Sequence, residues 1–173
     1  MCEKKNIPLL SVCLITYNDV KYIREAIDGV LMQKVKYSWE FIIADDCSTD
    51  GTREIVLEYK EKYPNIIKLI LQENNVGPAK NFMELMSAPR SKYIAYIEGD
   101  DYWTDPHKLQ RQLEYLENNQ DYGLVYSKAK VFNDIKGCFE KKIIGKAFND
   151  KELLLSNTIP TLTTMFRRDL YQR

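Results

Sequence analysis

Three carboxylates follow an apolar run in the middle of the sequence. Residues 93–97 are mostly apolar, and Glu98, Asp100 and Asp101 come directly after them with Gly99 between the first two. Carboxylates placed this close together repel one another, so a cation or a group of hydrogen-bond donors is expected beside them. Oxygen ligands of this kind suit Mg²⁺ or Mn²⁺. The simpler alternative is a polar turn between a strand and a helix.

Bulk composition limits the classes of partner. A chain of 173 residues fits one domain, and 25 basic residues balance 25 acidic ones. We therefore expect no nucleic-acid partner and no membrane binding driven by overall charge. The four cysteines have no metal-ligand spacing, and free thiols fit a cytoplasmic protein. The sequence predicts neither a signal peptide nor a transmembrane helix.

Apolar runs alternate with stretches of helical spacing. They predict strands over residues 9–15, 39–44, 66–71, 92–97, 124–126 and 161–166. Residues 132–148 predict a hairpin or a mobile loop, and a short helix is predicted from residue 150 to 155. A polar residue or a proline marks the start of each main helix: Asn18 or Asp19 for the first, Ser48 or Thr49 for the second, Pro78 for the third, and Asp105 with Pro106 for the fourth.

Strands that alternate with helices predict an α/β fold with a parallel sheet. Ligands of such sheets bind beyond the carboxyl ends of the strands. The polar clusters of this sequence fall at those ends, after the first, second and fourth strands. The sequence thus predicts that one edge of the sheet gathers residues 16–18, 45–50 and 98–101, together with Lys80 from the third helix.

Several other chemistries fit the clusters less well. Neither a dinucleotide fingerprint nor a P-loop is present. Residues 46–51 resemble the start of an EF-hand loop, but Leu57 stands where that loop needs a bidentate glutamate. We expect Asp46 to accept a hydrogen bond from a ligand instead. A receiver domain needs an acidic pair after the first strand, and a nucleotidyltransferase usually has a glycine-rich basic loop there; this sequence has neither.

Four segments together resemble the motifs of family 2 glycosyltransferases: residues 11–18, 45–52, 77–81 and 98–103. The resemblance implies the GT-A fold, a doubly wound and mostly parallel sheet with helices on both faces. It also implies transfer of a sugar from a nucleotide-diphosphate donor, generally with inversion and with Mg²⁺ or Mn²⁺. The expected donor is a UDP-sugar.

The resemblance assigns roles to single residues. Asp100 matches the metal ligand that ends the family's DxD motif, and Glu98 stands where that motif normally begins with Asp. Asp46 matches the acid that reads the base. The implied donor-binding residues are Thr16, Tyr17, Asn18, Asp46, Ser48, Lys80, Glu98 and Asp100.

The general base is the least defined residue of the predicted site. Asp101 is one candidate base, and Asp100 and Asp101 are the two predicted catalytic residues. Asp169 is a weaker candidate base. We expect a single domain over residues 1–173, with a nucleotide-sugar-binding half over 9–128 and the start of a truncated acceptor-side half over 129–173. The alternative is a nucleotide-sugar-binding module without turnover.

The resemblance also suggests partners and a location. It implies a glycan or lipid-linked acceptor and a place in polysaccharide biosynthesis. The expected location is cytoplasmic, with peripheral association at the inner face of the membrane.

Overall fold

A six-stranded sheet forms the centre of the protein. The computed structural model describes residues 7–146 and 159–171. The strands of this sheet are β1 (Leu10–Thr16), β2 (Trp39–Asp45), β3 (Ile67–Leu71), β4 (Tyr93–Glu98), β5 (Leu124–Val125) and β8 (Met165–Arg167). Their order across the sheet is β3-β2-β1-β4-β8-β5, and β8 runs antiparallel to the other five strands.

Helices cover both faces of the sheet, which confirms the doubly wound α/β fold. The α-helices of the described residues are α1 (Ile23–Leu31), α2 (Thr52–Lys62), α3 (Pro78–Ser87) and α4 (Lys108–Asn118). Alternate residues of a strand point to opposite faces. Val12 and Leu14 therefore pack in the core with α1, α2 and α4, whereas Cys13 packs in a second core with α3. In the described residues no helix is long and apolar enough to cross a bilayer.

The predicted cap of the first helix is wrong. Neither Asn18 nor Asp19 caps a helix, because α1 begins only at Ile23. The Asn18 side chain instead accepts from the backbone N–H of Thr49, and the Asp19 carboxylate accepts from the Thr16 hydroxyl. Both side chains therefore stabilise the loop that follows β1 through hydrogen bonds.

Two further helix starts also differ from prediction. Asp50 Oδ1, and not Ser48 or Thr49, accepts from the backbone N–H of Thr52 at 3.0 Å, where α2 begins. The fourth helix begins at Lys108, two residues after the expected first position, Pro106. Asp105 instead holds a separate turn by accepting from the N–H of His107.

The C-terminal part forms a hairpin and an antiparallel strand. Residues expected to form a hairpin or a loop form β6 (Ala129–Asn133) and β7 (Cys138–Ile144), an antiparallel pair outside the main sheet. The strand predicted over 161–166 is wrong in its first half, since Thr161–Thr163 is a 3-10 turn and β8 follows. The helix predicted from Asp150 lies outside the described residues.

Candidate functional site

A cavity of about 650 Å³ opens at the carboxyl ends of the central strands. Residues from the ends of β1, β2 and β4 form its floor, and the start of α3 forms one wall. Its lining residues are Ile15, Thr16, Tyr17, Asp19, Asp46, Asn75, Pro78, Ala79, Asn81, Phe82, Tyr96, Glu98, Gly99 and Asp100. Five of the eight predicted donor-binding residues line this one cavity. The edge of the sheet predicted from the polar clusters is therefore the edge that carries it.

The loop after β1 is held close to the carboxylate turn. The Thr16 hydroxyl donates to Asp19 Oδ2 at 2.7 Å, and the Tyr17 N–H donates to the same oxygen at 3.2 Å. A Cβ at Gly99 would lie 2.5 Å from Asp19 Oδ2 and 2.6 Å from Thr16 Oγ1, so any larger residue would have to displace these two side chains. Asp19 is a cavity residue that the sequence reasoning missed, because its position suggested a helix cap.

Glu98, Asp100 and Asp101 form a cluster of three carboxylates. One oxygen of each lies within 4.8 Å of the others. Burial and then the charge of Asp100 raise the pKa of Glu98, and burial together with Asp100 and Glu98 raises the pKa of Asp101 to about 7. A divalent cation would relieve this repulsion, and an all-oxygen ligand set suits Mg²⁺ or Mn²⁺. The residues present therefore fit the metal that the sequence suggested.

The adjacent aspartates after β2 have separate roles. Asp46 lines the cavity, and its two carboxylate oxygens accept from the backbone N–H groups of Val76 and Gly77 at 2.8 and 3.0 Å. Asp45 is fully buried, and its Oδ2 forms an ion pair with Arg53 Nε at 2.6 Å. Asp46 thus positions the loop before α3 while facing the cavity, whereas Asp45 anchors β2 to α2.

Asn18 and Ser48 hold two loops together. The Asn18 N–H donates to Ser48 Oγ at 2.9 Å, while Asn18 Oδ1 accepts from the Thr49 N–H at 2.9 Å. Asn18 adopts a left-handed backbone with φ of 58°, a conformation that asparagine tolerates well. Neither Asn18 nor Ser48 lines the cavity, so their contact with a ligand stays a prediction.

The third helix contributes residues to the cavity, but not the predicted Lys80. Lys80 is exposed and does not line the cavity, so its role near a donor also stays a prediction. Its neighbour Asn81 is buried at the cavity wall and donates to the Ala44 carbonyl. Phe82 packs edge-on against Tyr96, with 5.4 Å between the ring centroids. These two rings give the cavity an apolar wall beside its carboxylates.

Gly29 fixes the turn that follows the carboxylates. A Cβ there would lie 2.9 Å from both the backbone N and the O of Trp103. Trp103 is itself buried, and its indole N–H donates to the Leu162 carbonyl at 2.8 Å. Trp103 therefore packs the turn and does not face the cavity. The sequence gives no sign of this contact, because Gly29 reads only as a weak position in a helix.

A second cavity of about 510 Å³ lies at the other end of the sheet, beside Leu9 and Lys92. Asp169 lines this second cavity, so it stands away from the carboxylate cluster. Asp169 is therefore wrong as a candidate base.

Comparison with known proteins identifies the family of this chain. The sequence model described as Glycosyl transferase family 2 matches residues 11–173. The chain belongs to this family. An uncharacterised protein of Mycobacterium tuberculosis is 43% identical over 122 residues, which are 70% of this chain and 35% of that protein. The putative teichuronic acid biosynthesis glycosyltransferase TuaG of Bacillus subtilis is 39% identical over 109 residues, 63% of this chain and 42% of its own length.

Solved structures of glycosyltransferases share the fold. The mannosyltransferase PcManGT of Pyrobaculum calidifontis, solved with GDP-Man and Mn²⁺, has a TM-score of 0.70 at 20% identity and covers 98% of this chain. TarS 1-349 of S. aureus, solved with UDP-GlcNAc, has a TM-score of 0.68 at 24% identity and covers 94% of this chain. The chain spans 47% and 46% of these two structures, and half or less of the curated relatives named above.

Proposed function

We propose that this family 2 domain transfers a sugar from a nucleotide-diphosphate donor, with UDP-sugar as the expected donor, to a glycan or lipid-linked acceptor. One observation carries the proposal. The carboxylate cluster and the residues matched to the nucleoside side, Thr16, Tyr17 and Asp46, line or border a single cavity at the carboxyl ends of the strands.

The two ends of the cavity suit the two ends of such a donor. At the nucleoside end, Asp46 can accept from a ligand N–H, because each carboxylate oxygen keeps a lone pair beyond its bond to the backbone. The exposed ring of Tyr17 offers a surface on which a base can stack. We assign the diphosphate to the opposite end, beside Glu98 and Asp100.

Asp100 is the proposed metal ligand, with Glu98 and Asp101 completing the oxygen set. A bound Mg²⁺ or Mn²⁺ would supply positive charge next to the departing diphosphate. Asp101 does not line the cavity, which favours a role in holding the cation over a role as the base. Inversion at the anomeric carbon follows if an acceptor hydroxyl attacks from the face opposite the diphosphate.

The place of the reaction is also a proposal. TuaG is named for teichuronic acid biosynthesis. This name supports a role in polysaccharide assembly for the present chain. We propose the cytoplasmic face of the membrane as the location on the family resemblance alone.

Calorimetry with UDP and with GDP, each with and without Mn²⁺, tests the donor site. We expect one of the two nucleotides to bind in a metal-dependent way, and we expect that nucleotide to be UDP and not GDP. Asp100→Asn should weaken that binding at least tenfold, because the amide removes a charged metal ligand. Asp121→Asn, which changes an exposed acid far from the cluster in sequence, is the matched control.

The outcomes separate the candidate functions. Metal-independent binding, or no binding of either nucleotide, would contradict the proposal. Metal-dependent binding without donor hydrolysis or transfer, even with mixed glycan acceptors and the longer protein, would favour the nucleotide-sugar-binding module.

A further inference from the structure

The β6–β7 hairpin presents apolar side chains to solvent. Phe132 and Phe139 pair across the strands with ring centroids 5.2 Å apart, yet they are 44% and 48% exposed. Ile143 is 53% exposed, and Ile135 at the turn is 99% exposed. An exposed apolar group of this kind on a folded domain marks a contact surface.

The turn of the hairpin holds Ile135 in this exposed position. Asn133 Oδ1 accepts from the backbone N–H of Lys136 at 3.0 Å, which closes the turn. Gly137 follows with φ of 61°, a left-handed conformation that glycine adopts without strain. Ile135 therefore projects from a closed turn between two paired strands.

The same hairpin concentrates positive charge. Residues 128–146 hold two acidic residues and six lysines, a net charge of +4 in a chain whose total is zero: Lys128, Lys130, Lys136, Lys141, Lys142 and Lys146. None of the ion pairs between described residues uses one of these lysines. The balanced composition of the whole chain therefore conceals a local basic surface.

Both acids of the hairpin are occupied by neutral partners. Asp134 Oδ2 accepts from the Tyr22 hydroxyl at 2.7 Å, and Glu140 Oε1 accepts from Asn133 Nδ2 at 3.1 Å. Neither carboxylate forms an ion pair with a lysine of the hairpin in the described residues, so the lysines are available to an external anion.

We propose that the β6–β7 hairpin docks on an anionic phospholipid bilayer, with Ile135 entering the interface. Lysines beside a membrane are attracted to anionic headgroups, and apolar side chains gain by leaving water for the acyl boundary. A dissolved anionic glycan would bind the lysines, but it would gain nothing from the exposed aliphatic side chain of Ile135 at the turn. A protein partner would bury the apolar face without requiring four excess positive charges.

The docked hairpin would lie beside the donor cavity. The bond from Tyr22 to Asp134 ties the turn to the segment that follows β1, and Asp19 of that segment lines the cavity. A bilayer on the hairpin would therefore stand next to the cavity.

Vesicle flotation tests the surface without any donor or acceptor. The protein is mixed with vesicles of phosphatidylcholine alone, or of equal parts phosphatidylcholine and phosphatidylglycerol. We expect binding to the anionic vesicles only, and weaker binding as salt rises. Ile135→Asn should lower the partition coefficient by about tenfold, and Lys141→Gln with Lys142→Gln by about fivefold per lysine.

Matched changes outside the hairpin serve as controls. Met83→Asn alters an exposed apolar residue on α3, and Lys34→Gln with Lys62→Gln removes two exposed lysines. These variants should float like the unchanged protein. Circular dichroism of every variant separates loss of docking from loss of folding.

Several results would overturn the proposal. Equal binding to neutral and anionic vesicles is one, and controls that lose binding as strongly as the hairpin variants are another. Binding that needs the lysines but survives Ile135→Asn, and that a dissolved anionic polysaccharide displaces, would assign the face to a glycan. Absence of vesicle binding would reject the membrane partner and leave the donor-site proposal untouched.

Discussion

Asp46 combines two tasks in one side chain. Its carboxylate faces the cavity, yet both oxygens already accept from the backbone of the loop before α3. Asp46 is only 2% exposed, so it depends on these bonds to offset its burial. A residue proposed to read a base is thus also the residue that shapes the wall around it.

Replacing Asp46 by asparagine should loosen that wall. One acceptor oxygen becomes an NH₂ group, which cannot accept from Val76 or Gly77, and a buried backbone N–H loses its partner. We expect unfolding free energy to fall by about 1–3 kcal/mol in urea titrations. Amide exchange at Val76 and Gly77 should quicken in the same variant.

The control for this change is Asp169→Asn, which alters an exposed acid at the other end of the sheet. It should leave both stability and exchange at the loop unchanged. An Asp46→Asn protein as stable as the unchanged one would show that the two backbone bonds contribute little.

At the scale of elements, α1 sets the position of the turn that carries the carboxylates. Gly29 lets the helix approach the Trp103 backbone closely, and the Trp103 side chain is tied to Leu162 on the far side of the turn. Glu98, Asp100 and Asp101 therefore depend on a contact that none of them makes.

Gly29→Ala separates this packing from helix propensity. Without the contact, alanine would stabilise α1 by about 1 kcal/mol over glycine. With the added Cβ 2.9 Å from backbone atoms, we expect a net loss of about 1–3 kcal/mol instead. Metal-dependent nucleotide binding should weaken in parallel, as measured by calorimetry. Glu25→Ala, on the exposed side of the same helix, should change neither; a stabilised Gly29→Ala protein would refute the packing argument.

The sequence predicts the strands and the edge of the site because buried parallel strands are continuous apolar runs. It predicts helix starts poorly, since Asn18 and Asp19 are good caps that bond to neighbouring loops once the chain folds. Gly29 shows the same limit, because the backbone it touches lies more than seventy residues away. Contacts between distant segments leave no local pattern to read.

At the scale of the whole molecule, Lys108 links stability to pH. Its ammonium is buried over the Trp103 ring, 4.0 Å from the centroid, and donates to Gln112 at 2.8 Å. Burial lowers the pKa of Lys108 to about 7, whereas the unfolded chain restores an ordinary value of about 10.4. Between these two pKa values the unfolded state binds more protons than the folded state. Lys108 therefore makes the protein more stable as pH rises through this window.

Lys108→Met removes this titration and keeps an unbranched apolar stem. The stability of the unchanged protein minus that of Lys108→Met should rise by about 1–2 kcal/mol between roughly pH 7 and 9, and should level off below the folded pKa. Urea unfolding across this range measures the difference, in which the shared titration of Cys13 and the tyrosines cancels. Lys62→Met, at an exposed lysine, should give a flat difference. A flat difference for Lys108→Met as well would mean that the buried ammonium finds enough compensation from the ring and from Gln112 to keep an ordinary pKa.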